Sequence, residues 1–164
     1  MYKINDLVVY GKNGVCKIDS VGQIDIAGSD KQYYTLIPIY KKETVIYAPV
    51  EAGKIVMRYV ISKEEAQLLI ASIPGITEKD VENEKDRENY YKQILFSCDL
   101  TKIVTLLKTI SSRKNKRISE GKKVMVIDEK YYRQAEEQVC EELAFALEID
   151  KNEVRQAVTN NLNN

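Results

Sequence analysis

The apolar pattern of this chain changes period once, near residue 61, and that change requires two differently built parts. Up to residue 60, short β-branched and aromatic runs alternate with Gly, Pro, Asn and Asp, the punctuation of strands and tight turns. Beyond it, apolar residues recur three and four apart, as on one face of a helix.

Asp6–Tyr10 opens the strand series. Asn13-Gly14 is a hairpin signal, because both residues tolerate φ > 0, and Val15–Ile18 is the returning strand. Val21–Ile26 alternates apolar and polar residues, and residues 27–30 read as a turn. Gln32–Tyr40 is the longest strand; Pro38 cannot donate to a ladder, which places that strand at a sheet edge or puts a bulge there. Residues 41–43 turn the chain, Thr44–Ala48 is a further strand ended by Pro49, and Met57–Val60 adds a short last one. Five short strands in 60 residues predict a small barrel of SH3 or Tudor type.

In the second part, Ser62 caps a helix with Glu65 completing a capping box, and Pro74-Gly75 stops it. Thr77 with Asp80 is expected to cap another helical turn. A helix over 83–96 carries Tyr90, Tyr91, Ile94 and Leu95 as apolar positions. Asp99 caps the next, with Ile103, Val104, Leu106, Leu107 and Ile110 as a buried stripe and Lys102, Thr105, Lys108 and Thr109 outside it. Arg113–Arg117 ends that helix or begins the loop, and Lys122–Ile127 is extended. Asp128 is expected to cap a long helix with Tyr132, Ala135, Val139, Leu143, Ala146 and Leu147 inward, and Asp150 caps the last. The expected class is α+β: a small SH3/Tudor-like β-barrel domain over 1–60, followed by an all-α domain over 61–164.

The chain has no histidine, which excludes a His general base, a Ser-His-Asp triad, a Cys-His dyad and any His metal ligand. Cys16, Cys98 and Cys140 are odd in number with no C-x-x-C, so neither a disulfide framework nor a zinc site is expected, and each reads as a small buried apolar residue. Nucleotide-cradling and nucleophile motifs are absent. The pairs Glu64/Glu65, Glu136/Glu137 and Glu141/Glu142 occupy adjacent helical positions about 100° apart and do not converge on one substrate. No catalytic residue, metal or cofactor is therefore expected. No apolar run reaches about 18 residues, and the N-terminus has no signal-peptide core, so a cytoplasmic protein without membrane contact is expected.

The zero net charge hides a strong asymmetry. Residues 85–123 carry eleven cations and four carboxylates, a local balance of +7, and residues 124–164 carry four and nine. Arg113, Lys114, Lys116, Arg117, Lys122 and Lys123 fall within eleven residues interrupted by one acid, Glu120, with Lys102 and Lys108 upstream. Such a cluster either favours a helix C-terminus electrostatically or contacts phosphates, and nothing resembles a base-reading helix. The pairs Tyr90-Tyr91 and Tyr131-Tyr132 each put one ring inward and one outward, where it stacks on a base or lies on the surface.

Asp6-Leu7-Val8-Val9-Tyr10 followed by Gly14-Val15 and Ile18 resembles the opening D-x-V-V-Y-P-x-H-G-V-G-x-I of the CarD/CdnL/TRCF-like family, with Gly11 in place of Pro, Asn13 of His and Cys16 of the second Gly. Tyr33-Tyr34-Thr35-Leu36 is similar to its Y-Y-x-L strand, and Ala48-Pro49-Val50 with Ala52 and Arg58 to its V-P-V…A…R segment. Ser97-Cys98-Asp99-Leu100, Ile118-Ser119, Glu129-Lys130, Ala135 and Glu142-Leu143 are similar to its helical series, so the likeness runs over about 2–147. The resemblance implies a bacterial transcription regulator whose Tudor-like domain binds the β subunit of RNA polymerase through a sheet edge, and whose helical domain contacts promoter DNA at the upstream edge of the melted bubble. Gln32–Tyr40 and Thr44–Ala48 are the candidate edges. Ile46, Tyr47, Ala48 and Pro49 are the expected polymerase contacts. Tyr47 stands where relatives often carry a basic residue. Lys102, Lys108, Arg113, Lys114, Lys116, Arg117, Lys122 and Lys123 are the expected DNA contacts. Relatives place a groove-wedging Trp near the position of Glu84; this chain has no Trp, so either Tyr90 replaces it or the wedge is absent. A monomer is expected. The alternatives are an RNA-binding or ribosome-associated SH3-like barrel protein, and a protein-interaction adaptor that never meets nucleic acid.

Overall fold

A computed structural model of the chain describes residues 1–25, 30–41, 43–51 and 55–164. The end of the strand expected at Ile26, the turn over 27–29, Lys42, and Ala52 of the family-like segment lie outside them. The chain divides into two compact units, Met1–Val60 and Ile61–Asn164.

The N-terminal unit is a five-stranded antiparallel sheet: β1 (Leu7–Tyr10), β2 (Val15–Gln23), β3 (Gln32–Pro38), β4 (Ile46–Pro49) and β5 (Met57–Tyr59), in the order β4-β3-β2-β1-β5. Alternate side chains face one core made by Val8, Tyr10, Cys16, Ile18, Tyr34, Leu36 and Ala48. The segments expected at 15–18 and from 21 form one strand, because the register shift between Ile18 and Ser20 absorbs the break in alternation.

Two local expectations are corrected. The first hairpin is not an Asn-Gly turn: residues Gly11–Asn13 form a 3-10 turn, and the positive φ values fall on Gly11 (49°) and Gly14 (74°) rather than Asn13. Gly11 also donates its N–H to the Val56 carbonyl at 3.1 Å, and a Cβ there would lie 2.7 Å from Ile55 Cγ2. Proline, fixed near φ −65° and lacking the N–H, fits neither condition, which accounts for Gly11 where the CarD-like pattern has Pro. The second correction concerns Pro38. β3 is not an edge, since β2 and β4 flank it. Ile39 N–H donates to the Val15 carbonyl at 2.9 Å, so alternation turns the Pro38 nitrogen toward β4, whose pairing ends at Leu36. The missing donor therefore costs no ladder bond.

The second unit contains α1 (Lys63–Ser72), α2 (Glu84–Phe96), α3 (Leu100–Ser119), α4 (Val126–Leu147) and α5 (Lys151–Leu162) around one core. The Ser62/Glu65 capping box is formed, with Ser62 N–H donating to Glu65 Oε2 at 2.7 Å and Glu65 N–H to Ser62 Oγ at 3.1 Å. Asn83, Asp99 and Asp150 cap α2, α3 and α5. The α3 stripe is buried as its spacing requires. Thr77, however, caps no helix. Residues 76–83 are instead clipped along α3: Lys79 N–H donates to Thr109 Oγ1 at 3.0 Å, the Ser112 hydroxyl donates to Glu78, and Arg113 donates to Asp80 at 2.7 Å. Thr109, expected outside, is buried by this contact.

Asp128 is likewise not the cap of α4. The helix begins two residues earlier, and Asp128 lies fully buried in its first turn. Its carboxylate accepts from Tyr91 Oη at 2.9 Å and from Arg113 Nε at 3.3 Å. Ala135, Val139 and Leu143 are fully buried on α4. Of the Tyr131-Tyr132 pair, Tyr131 is the deeper and donates to Glu88 at 2.9 Å, and Tyr132 also packs against the core. Burial, aided by Glu88 at Tyr131 and Glu136 at Tyr132, pushes both phenols up to about 12. An unfolded tyrosine titrates near pH 10, so the fold favours the neutral form. This stabilisation is complete below about pH 10 and is lost as pH rises toward 12. The urea midpoint of the helical unit is expected to stay flat to about pH 10 and then fall, in step with tyrosinate absorbance.

Candidate docking edge and nucleic-acid interface

Backbone alternation makes β4 a one-sided strand. Val50 N–H donates to the Gln32 carbonyl at 2.9 Å, and Tyr34 stands opposite Ala48 and Leu36 opposite Ile46. In an antiparallel ladder this turns the N–H and C=O of Ile46 and Ala48 toward β3, and those of Tyr47 away from it. Side chains alternate too. Ala48 is fully buried in the core, Ile46 packs against it, and Tyr47 is exposed on the opposite face beside Thr35. Pro49 has no N–H to offer. β4 ends the sheet order, so among the described residues the Tyr47 amide and carbonyl are available to a further strand, next to exposed Val45. Of the two candidate edges, Thr44–Ala48 lies at the edge and Gln32–Tyr40 does not.

The helical cations divide by what holds them. Lys108 Nζ donates to the carbonyls of Ile73, at 2.9 Å, and Pro74, tying α1's end to α3. Arg113 bridges Asp80 and Asp128 with its side chain 17% exposed. Lys114 pairs with Glu129 at 2.9 Å and lies 4.4 Å over the Tyr132 ring; its hydrogen bond holds the Glu129 carboxyl below the usual range. These three cations serve the fold. Lys102 is exposed but pairs with Asp99 at the start of α3, about 22 Å along the helix from Arg117. Lys122 pairs with Glu120 at 3.0 Å, and Arg117 Nε donates to the Lys123 carbonyl at 2.8 Å. Lys116 and Lys123 are exposed and, among the described residues, take part in no ion pair. The sequence cluster is thus not one surface: α3 runs on to Ser119, and its turns send neighbouring cations to different sides.

Tyr90 is not an outward ring. It is half-buried against the helical core, with Lys79 Nζ 5.8 Å over its face. Glu84 is exposed at the first position of α2. Glu84 lines a groove of about 840 Å³ together with Lys85, Arg117, Lys123, Val126 and Lys130. Sequence reasoning missed Lys85, Val126 and Lys130: Lys130 lies in a segment whose net charge is negative, and Val126 reads in sequence as part of an apolar strand.

All three cysteines are buried thiols, and burial pushes Cys140 up to about 12, which leaves it unreactive. No helix of the described residues is long and apolar enough to cross a membrane.

The sheet and its strand sequence coincide with a known family: residues 2–61 match the family model described as CarD-like/TRCF RID domain. The N-terminal unit is a CarD-like/TRCF RID domain. RID domains are Tudor-like, interact with RNA polymerase, and mediate protein interaction rather than catalysis. The RID match ends at the boundary between the two units, so it covers the strands and none of the five helices. A search of curated proteins found no match.

Proposed function

We propose that this chain is a bacterial, cytoplasmic transcription regulator that acts as a monomer without catalysis. Its RID domain binds the β subunit of RNA polymerase by adding a β-subunit strand to β4, at Ile46, Tyr47, Ala48 and Pro49. Its helical unit contacts promoter DNA near the edge of the melted bubble, largely through phosphates. The observation that carries this is the RID match together with an edge strand whose Tyr47 amide and carbonyl face outward. Backbone pairing supplies affinity on such an edge without a basic side chain, so tyrosine at position 47 is compatible with docking.

Tyr47→Pro tests the edge directly. It deletes the outward N–H but no β3–β4 ladder bond, since the Tyr47 amide points away from β3. Retention of the polymerase β subunit by the full chain is expected to fall about tenfold, the worth of a net hydrogen bond or two. Circular dichroism should be unchanged. Wild-type chain that retains no β subunit, or a variant that binds as wild type, contradicts docking through β4.

A further inference from the structure

We propose that the RID domain holds a binding site for a small neutral molecule, a flat ring carrying a hydrogen-bond acceptor, in the tyrosine-lined cavity between Tyr2, the end of β4 and the start of β5. This use of the domain is separate from docking at the β4 edge.

The cavity measures about 380 Å³, the size of a small-ligand site. Tyr2, Tyr10 and Tyr34 line it, with Pro49, Val50 and Met57 among its apolar residues. Its aromatic wall is fixed before any ligand arrives. The Tyr2 ring meets Tyr34 edge-on at 5.9 Å and Tyr59 at 4.9 Å, and the Tyr2 hydroxyl donates to the Met57 carbonyl at 2.8 Å. Two buried hydroxyls border the same space. Tyr10 is 6% exposed and, among the described residues, its hydroxyl has no hydrogen-bond partner. Tyr34 is 3% exposed; its hydroxyl accepts from the Tyr2 N–H at 3.2 Å and, among the described residues, gives its own proton to no acceptor. A buried donor left without an acceptor is costly, so two of them on one cavity call for a ligand oxygen. Among the described residues no charged side chain lines the cavity, so an ion there would be desolvated without a counter-charge. A peptide finds little to pair with either. The Val50 N–H donates to the Gln32 carbonyl at 2.9 Å, the Val56 carbonyl accepts from Gly11 N–H at 3.1 Å, the Met57 carbonyl is taken by Tyr2, and Pro49 has no N–H. What remains complementary is a neutral ring for the tyrosine wall with an acceptor for the hydroxyls.

The test is titration of benzamide into the full chain, followed by amide NMR shifts. Saturable shifts are expected at Tyr2, Tyr10, Tyr34, Val50 and Met57, with a Kd on the order of 1 mM, ordinary for so small a ligand. Tyr10→Phe keeps the ring and deletes the hydroxyl. It should bind benzamide about fivefold more weakly, the worth of one net hydrogen bond, and bind toluene as the wild type does. Val50→Phe fills the cavity from a partly exposed position and should abolish the shifts with both ligands. Matching spectra of the free variants exclude misfolding. The site is overturned if the wild type shows no saturable shift at these residues, if Tyr10→Phe binds benzamide as tightly as the wild type, or if Val50→Phe still binds. Benzoate or tetramethylammonium shifting the same resonances as strongly as benzamide overturns the neutral ligand. A capped Gly-Phe-Gly peptide binding far more tightly than benzamide would make the cavity a peptide pocket and overturn the assignment to a free small molecule.

Discussion

Asp128→Ala is expected to lower the stability of the helical unit by about 3 kcal/mol, the scale for removing one partner of a buried ion pair. Asp128 is fully buried and joins three helices, accepting from Tyr91 on α2 and from Arg113 on α3 while sitting in the first turn of α4. Alanine leaves the Tyr91 hydroxyl without its acceptor in the core and strips Arg113 of its inner carboxylate. Arg113 keeps Asp80, which lies half in solvent and compensates only partly. Asp128→Asn retains an acceptor for Tyr91 but no charge for Arg113, so its loss should be intermediate. Urea denaturation followed by circular dichroism measures both. A loss below about 1 kcal/mol for Asp128→Ala would mean that Arg113 and Tyr91 find other partners.

Leu107→Ala should cost a similar amount, about 3 kcal/mol, for a different reason. Leu107 is fully buried in the centre of the α3 stripe, within a core shared with Val104, Ile110, Val139 and Leu143. Truncation forfeits the transfer free energy of the side chain and leaves a cavity that the packed helices close only in part. Leu68, on α1, is 71% exposed, and Leu68→Ala should change stability by less than about 0.5 kcal/mol. Comparison of their urea midpoints separates burial from hydrophobicity as such, and equal losses would contradict the packing described for α3.

The change of period at residue 61, the capping box at Ser62, the caps at Asp99 and Asp150, and the α3 stripe were all legible, because each is set by residues within one helical turn or one strand. Two of the misread starts, at Thr77 and at Asp128, have a common cause. Thr77 and Asp80 carry the local signature of a helix start, yet no helix forms there, and contacts with Thr109, Ser112 and Arg113 about thirty residues on clip that segment to α3. Asp128 has the composition of a cap and the position of a core residue, because the partners that claim it come from α2 and α3. The Asn13-Gly14 turn failed more locally, since the positive φ values fell on the two glycines.

The candidate site divides along the same line. The Thr44–Ala48 strand was recognisable from its β-branched run, and Pro49 marked its end, because strand formation is written in short-range alternation. That β4 rather than β3 is the edge depends on sheet order, which no single strand encodes. The basic cluster was visible as charge density along the chain. Which of its members face solvent was not, because a helix turns neighbouring residues about 100° apart and distant carboxylates consume some of them. By itself the sequence determined the two parts, their element types and the family likeness of the first. Only the tertiary structure decided that Lys108, Arg113 and Lys114 hold the fold together, and that Lys85, Lys123 and Lys130 share a groove. Pairing of charges and convergence of surfaces are long-range events, set by packing between segments rather than by the residues within any one of them.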